Sequence, residues 1–351
     1  MKKKFIWIIL LAVAMLAGIL ILSLDGKKEK KPINDDDKIQ IGMSFDSFVI
    51  ERWQRDRDVF VSTAKELGAE VNVQNANGDI EEQKKHIDYF IEKGVDAIVV
   101  ICIDSYGLHE QVKKAMDAGI IVVAYDRMIT NAGTDLYISF DNGMVGSMMG
   151  EALIKSGIKG GNVLMLGGSL SDSNVPILEG GFKKVMEDND VTILDSFHAE
   201  NWEAELAATY VYENINVVMK ADAIMCGNDN LASQVVRALA EKRLAGEILV
   251  VGQDADLEAC QRIVEGTQLM TVYKPVEKLA QRAAECTVQL ITDGKVTGDD
   301  VESIDDGSYI IPYVGMQPIS VTDSNMNSII IDSGFHLKED VYLNVPGKMP
   351  K

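Results

Sequence analysis

From residue 38 onward, short unbroken apolar runs alternate with amphipathic stretches, and this alternation restricts the fold more than any other feature. Runs at 39–43, 70–74, 97–103, 120–125 and 136–139 read as strands, with helices over 52–67, 81–93 and 108–118 between them. Apolar runs that do not alternate with polar residues mark parallel strands covered on both faces. Gly68, Gly94 and Gly119 stand where the helices should stop, because glycine readily takes the left-handed backbone that closes a helix. A second series follows. Helices are predicted over 142–156, 177–186, 203–219, 231–241, 257–265 and 276–292, and strands over 162–166, 191–197, 223–226, 249–252 and 269–273. Two successive series predict an α/β protein with two similar lobes, each a parallel sheet flanked by helices. Beyond Gly298, short strand-like pieces occur at 309–312, 319–321 and 329–331.

Polar motifs fall where strands should end: Tyr125-Asp126-Arg127-Met128, Gly227-Asn228-Asp229 and Gln253-Asp254-Ala255-Asp256. In open α/β sheets, ligands bind outside the carboxyl ends of the strands. Carboxylates accept hydrogen bonds and arginine donates a rigid fork of them. Such groups together suit a polar, neutral molecule rich in hydroxyls, most simply a sugar.

The formal net charge is −20, and residues 1–31 hold seven Lys against Asp25 and Glu29, so the remainder carries −25. That surface repels nucleic acid and anionic lipid headgroups. The four cysteines, Cys102, Cys226, Cys260 and Cys286, form no CxxC pair and lie in apolar runs. They read as small buried side chains, in a chain large enough to need no disulfide framework. No metal-binding motif and no cofactor loop is present.

Met1-Lys2-Lys3-Lys4 precedes twenty uncharged residues, 5–24. As a helix these would span about 30 Å, the thickness of a bilayer core. The apolar part of a signal peptide is usually about 7–15 residues. Residues 1–24 therefore read as an uncleaved membrane anchor, the alternative being a long signal segment that is removed. No Cys precedes Cys102, so there is no site for a lipid anchor. Lysines flank the span on both sides and leave its orientation open. Residues 25–37 are charged and contain Pro32, as a solvated tether would.

Several segments together resemble a known family: Glu51-Arg52-Trp53-Gln54, Gln74-Asn75-Ala76-Asn77-Gly78, Ala124-Tyr125-Asp126-Arg127-Met128, Tyr137-Ile138-Ser139-Phe140-Asp141-Asn142, Gly167-Gly168-Ser169, Gly252-Gln253-Asp254-Ala255-Asp256-Leu257, Thr271-Val272-Tyr273-Lys274-Pro275 and Ser333-Gly334-Phe335-His336. The chain resembles the periplasmic sugar-binding proteins of the ribose/galactose/xylose group, the D-xylose-binding proteins of ABC importers in particular. The likeness runs over about residues 38–338. It implies a type I two-lobed periplasmic-binding-protein fold with three hinge crossings, preceded here by the N-terminal transmembrane helix. The first lobe would hold 38–141 and 275–300, the second 142–274 and 301–338, with 339–351 left as a tail. Crossings would fall near 140–142, 272–275 and 300–307, and the large domain would lie outside the cytoplasmic membrane.

The resemblance also implies a ligand set. Arg52 would begin the first helix and donate into the cleft. Trp53 would be a sugar-facing ring or a core residue. Asp126 and Arg127 would form an acceptor and donor pair, Asp172 and Asn174 would follow the glycine turn into the cleft, and Trp202 would stack on the sugar. Asn228 and Asp254 end strands as acceptors, and Lys274 would donate to the sugar or to Asp254. Asp229 is left out as a helix cap, and Asp256 reads as the cap of the next helix.

The chain carries none of the catalytic motifs HExxH, GxSxG, a Walker loop or GxGxxG, and the carboxylates Asp254 and Asp256, which could serve a glycosidase, flank a turn into a helix where Asp256 reads better as the cap. A repressor built on the same lobes would need a basic helix-turn-helix before residue 40, where the apolar span stands instead. Two binding roles remain. One is a sensor that passes its closure on D-xylose to a membrane histidine kinase. The alternative is the substrate-binding component of an ABC xylose importer.

Overall fold

The computed structural model describes residues 38–350. The segment 5–24 and the tether 25–37 lie outside the described residues. Among those described, no helix is long and apolar enough to cross a membrane.

The first lobe is built on β1 (Ile39–Phe45), β2 (Ala69–Asn75), β3 (Ala97–Val100), β4 (Ile121–Tyr125) and β5 (Leu136–Phe140), parallel and in the order β2-β1-β3-β4-β5. The connecting helices are α1 (Arg52–Glu66), α2 (Ile80–Lys93) and α3 (His109–Asp117). Strand residues alternate between two apolar layers. Val99, Val123 and Ile138 join one, and Ile98, Val100 and Val122 the other, so these strands need no polar face. Helix ends follow local chemistry. The Asp79 side chain accepts from Glu81 N and Glu82 N at the start of α2, and Gly94 closes it at φ 68°.

The chain crosses to the second lobe at Asp141 and enters α4 (Asn142–Lys155). There β6 (Asn162–Gly167), β7 (Thr192–His198), β8 (Ala223–Cys226), β9 (Leu249–Gln253) and β10 (Met270–Tyr273) run parallel in the order β7-β6-β8-β9-β10. The accompanying helices are α5 (Asn174–Asp188), α6 (Ala204–Glu213), α7 (Ile215–Val218), α8 (Asp229–Glu241) and α9 (Leu257–Glu265). Two glycines let α4 and α5 touch. A side chain at Gly146 would collide with Leu178 O, and one at Gly181 with Gly143 O. After β10 the chain returns through Lys274-Pro275 to α10 (Val276–Asp293), which packs on α1 and β4.

Five expectations need correction. The helix over 203–219 is interrupted at Asn214, which separates α6 from α7. The apolar piece 329–331 is not a strand but part of a π-helical turn, Asn327–Ile331, whose Ile330 is buried in the hydrophobic core. A further strand, β11 (Val301–Asp305), is largely exposed at a sheet edge and carries little apolar signal.

The fourth concerns lobe membership. β11 pairs antiparallel with β12 (Ile310–Met316), and β12 pairs parallel with β5. Residues 301–316 therefore complete the first sheet, not the second lobe, because Ile311 and Val314 bury into the first lobe's two layers. The third crossing falls at Gln317-Pro318, not at 300–307. Only then does β13 (Ile319–Val321) add antiparallel to β10.

Residues 339–350 are not a loose tail either. α11 (Lys338–Val341) packs on α9, Val341 and Tyr342 are buried, and Lys348 Nζ donates to Val264 O at 2.6 Å.

Candidate ligand site

The carboxyl ends of both sheets face one cavity. All ten residues nominated from the sequence line it: Arg52, Trp53, Asp126, Arg127, Asp172, Asn174, Trp202, Asn228, Asp254 and Lys274.

Arg52 opens α1 and is 4% exposed. Its Nε and Nη2 donate to Asp56 at 3.2 and 3.1 Å, and its Nη1 lies 2.9 Å from Asp126 Oδ2 and 3.9 Å from Asp254 Oδ1. The Tyr125 hydroxyl also donates to Asp56. Burial alone would weaken the Arg52 cation, but Asp126, Asp56 and Asp254 outweigh it and hold the proton more firmly than usual.

Arg127 is the second hub. Nε lies 2.7 Å from Asp172 Oδ2, and Nη1 donates to Asp46 Oδ2 at 2.8 Å and to Cys102 O at 3.0 Å. Burial raises the pKa of Asp46 and of Asp172 despite this partner. For Asp126, burial works upward too, yet Arg52, Lys274 and Arg127 together hold it below the ordinary carboxylate range. Lys274 Nζ lies 2.8 Å from Asp254 Oδ1, an ion pair by distance that is not aligned as a hydrogen bond, since that oxygen has no hydrogen-bond partner among the protein atoms.

Both indoles border the cavity. Trp53 is at once core and cavity wall, which unites the two sequence readings: it is 2% exposed, belongs to the first-lobe core, and has Arg52 over its ring at 4.5 Å. Trp202 lies flat on Gly168, where any side chain would occupy the space of its ring. The Nε1 atoms of both are buried without a hydrogen-bond partner.

Asn174 Nδ2 donates to Asp126 O at 3.1 Å, and Asn174 N to Asp172 Oδ1 at 2.9 Å. Asn228, not Asp229, caps α8: its side chain accepts from Leu231 N at 2.9 Å. Asp229 is fully buried behind it, accepting from Thr271 Oγ1 at 2.6 Å and Gln268 Nε2 at 2.8 Å. Burial pushes its pKa up to about 7. Asp256 stands at the cap position of α9 but makes no capping hydrogen bond.

The lobes are drawn together by bonds outside the cavity. Ser105 N–H donates to Ser171 O at 2.9 Å, Ser171 Oγ to Ile103 O at 3.2 Å, and Ser173 N–H to Ser105 Oγ at 3.0 Å. Met128 N–H donates to Ser173 Oγ at 3.2 Å.

Sequence reasoning passed over Asn142, Glu179 and Gln253, which also line the cavity. Asn142 and Gln253 stand inside motifs already singled out, and that position was the only signal. Glu179 shows none: it faces the cavity from mid-helix, held by His198 Nε2 at 2.7 Å and Lys183 Nζ at 2.9 Å. Asp56 was also passed over, although it stands four residues after Arg52 on one helix face, where a partner for the guanidinium is in reach. Among the described residues no cluster of His, Cys, Asp or Glu could hold a metal ion.

Two parallel-sheet lobes with a polar cavity at their strand ends are the architecture of a solute receptor. The chain belongs to the periplasmic binding protein family, whose domain matches residues 41–295. It is 38% identical to the D-xylose-binding periplasmic protein of Haemophilus influenzae over 310 residues, 87% of this chain and 92% of that one. The D-xylose-binding periplasmic protein of Escherichia coli is also 38% identical, over 87% of this chain and 93% of its own length. Among solved structures, a Clostridium phytofermentans ABC transporter solute-binding protein with bound β-D-glucose superposes with a TM-score of 0.77 at 26% identity, covering 86% of this chain and 99% of that one. Its relatives are binding proteins, and this chain is a receptor rather than an enzyme.

Proposed function

We propose that this chain is an extracytoplasmic receptor that closes its two lobes around a monosaccharide, with D-xylose as the preferred ligand. The observation that carries the reading is the convergence of all ten nominated residues on one cavity, joined to 38% identity with proteins named for D-xylose. In this reading Asp126, Asp254 and Asn228 accept from sugar hydroxyls, while Arg52, Arg127, Lys274 and Asn174 donate to them. Asp172 holds Arg127 in place at the cavity wall. The Trp53 and Trp202 rings cover the sugar's C–H faces. Within the first lobe, the pairs Arg52–Asp56, Arg52–Asp126 and Arg127–Asp46 hold these side chains before the ligand arrives, so less ordering remains to be done on binding. Hydrogen bonds to charged groups contribute about 1.5–3 kcal/mol each.

The partner is proposed to be the permease of an ABC-type importer, as the related ABC transporter solute-binding protein and sugar import binding proteins support. A second reading rests on residues 5–24, a run of twenty uncharged residues long enough to stay in the membrane. A receptor fixed at the outer face of the membrane suits a sensor that passes closure to a histidine kinase. Closure would shift such a partner only by the difference in its affinity for the two states.

Calorimetric titration with D-xylose, D-ribose, L-arabinose and D-glucose tests the ligand. Tight D-xylose binding that is lost in Asp254→Ala supports it, and no heat with any sugar refutes it. Affinity purification from membranes then separates the partners. Recovery of permease subunits alone sinks the sensor reading, and recovery of a kinase alone sinks the importer.

A further inference from the structure

Gln253 ends β9 with its amide anchored at one end. Nε2 donates to Gly227 O at 2.7 Å, and this bond decides which end of the amide is nitrogen and which is oxygen. The residue lines the cavity and is 5% exposed, yet Oε1 is buried with no hydrogen-bond partner among the protein atoms. Buried amide oxygens are nearly always paired, and leaving one unpaired is costly. The cavity's carboxylates Asp126, Asp172 and Asp254 all have a cation within ion-pair distance. The Gln253 carbonyl is different in kind: a neutral acceptor with no cation assigned to it.

We propose that Gln253 Oε1 accepts a hydrogen bond from one hydroxyl of the bound sugar, which makes Gln253 a specificity-determining residue of the cleft. The proposal rests on the sugar-binding reading above. Its chemistry favours discrimination. A ligand lacking that hydroxyl leaves the oxygen buried and unpaired, and a site built to pair a hydroxyl rejects analogues that lack it. Gln253 also steadies Gly227, against which the Trp202 ring packs, so a purely structural role is the competing account. The two differ in what they do to selectivity.

The test is calorimetric titration of the full chain and of Gln253→Met with D-xylose and its monodeoxy analogues, each lacking one hydroxyl. Thermal melting confirms that the variant is folded, and Gln253→Leu, which also lacks the acceptor, replaces it if it is not. The parent is expected to lose about five- to tenfold in affinity for each hydroxyl that makes a neutral hydrogen bond. Gln253→Met should bind D-xylose more weakly by a similar factor and show no further loss for one analogue alone. Equal weakening toward every ligand, with all deoxy penalties intact, overturns the proposal and leaves Gln253 as a prop for Gly227. A parent chain that binds none of these sugars overturns the sugar reading itself and this proposal with it. That result is distinct, because equal weakening can be seen only in a parent that binds.

Discussion

Asp126 and Asp254 occupy matching places in the two lobes and meet the same guanidinium. Each follows directly on a parallel strand, β4 or β9, with positive φ, 64° and 95°. Each donates its backbone N–H at 2.8 Å to the next strand, Asp126 to Ile138 O and Asp254 to Val272 O. Their carboxylates lie 2.9 and 3.9 Å from Arg52 Nη1. Non-glycine residues hold such backbone angles only when their surroundings impose them, and such strain gathers at functional sites.

Arg52 should therefore matter to stability as well as to binding. Arg52→Met leaves Asp56, Asp126 and Asp254 facing one another without their shared cation. Breaking a buried pair from one side costs about 3–5 kcal/mol. The variant should melt well below the parent and give no heat on titration with D-xylose. An unchanged melting temperature would contradict the hub role.

The serine bonds between the lobes should set affinity from outside the cavity. Ser105→Ala removes the acceptor for Ser173 N–H, and Ser173→Ala the acceptor for Met128 N–H. Each neutral hydrogen bond contributes about 1 kcal/mol, so each variant should bind sugar roughly fivefold more weakly. Stopped-flow measurement should place the loss mainly in faster dissociation, since these bonds exist only once the lobes have met.

Gly168 should be intolerant of any side chain. In Gly168→Ala the new methyl displaces the Trp202 indole from its bed. Overpacking of this kind costs about 1–3 kcal/mol. Sugar affinity should fall about tenfold or more, and the tryptophan fluorescence of the free protein should change. A variant with parental affinity would show that Trp202 does not touch the ligand.

Asp229 gives stability a pH dependence of defined sign. Burial raises its pKa to about 7 in the folded chain, against about 4 when unfolded. Between these values the folded state binds the extra proton. Its contribution is complete below about pH 4 and is lost as the pH climbs through 7. Asp229→Asn should flatten that part of the curve when melting is followed from pH 4.5 to 7.5. Asp256, also raised by burial and by Asp229 itself, donates its backbone N–H to Asp229 Oδ2 at 3.3 Å and leaves a residual slope of the same sign.

The βα windings were legible because a strand covered on both faces needs an unbroken apolar run, as at 97–100 and 121–125. β11 was not, because one exposed edge strand needs no such run. Ile329–Ile331 misled for the opposite reason: three β-branched residues favour a strand locally, but burial of Ile330 beside Phe335 decides for a helical turn. Lobe membership of 301–316 depended on which edge β12 would find, a long-range pairing that no local pattern encodes. At the cavity, residues with a distinctive chemical type at a strand end could be named in advance. Glu179 could not, because a carboxylate within a helix normally faces water.

The buried charges around Arg52 and Arg127 do not balance. Asp46, Asp56, Asp126, Asp172 and Asp254 stand against Arg52, Arg127 and Lys274, an excess of carboxylates in a place poor in water. A phosphorylated pentose or a uronic acid would carry more negative charge into that surplus, where repulsion is least screened. On the sugar-binding reading, the cleft should favour a neutral sugar over its anionic forms, and titration with a sugar phosphate or a uronic acid should give weaker binding than the neutral sugar.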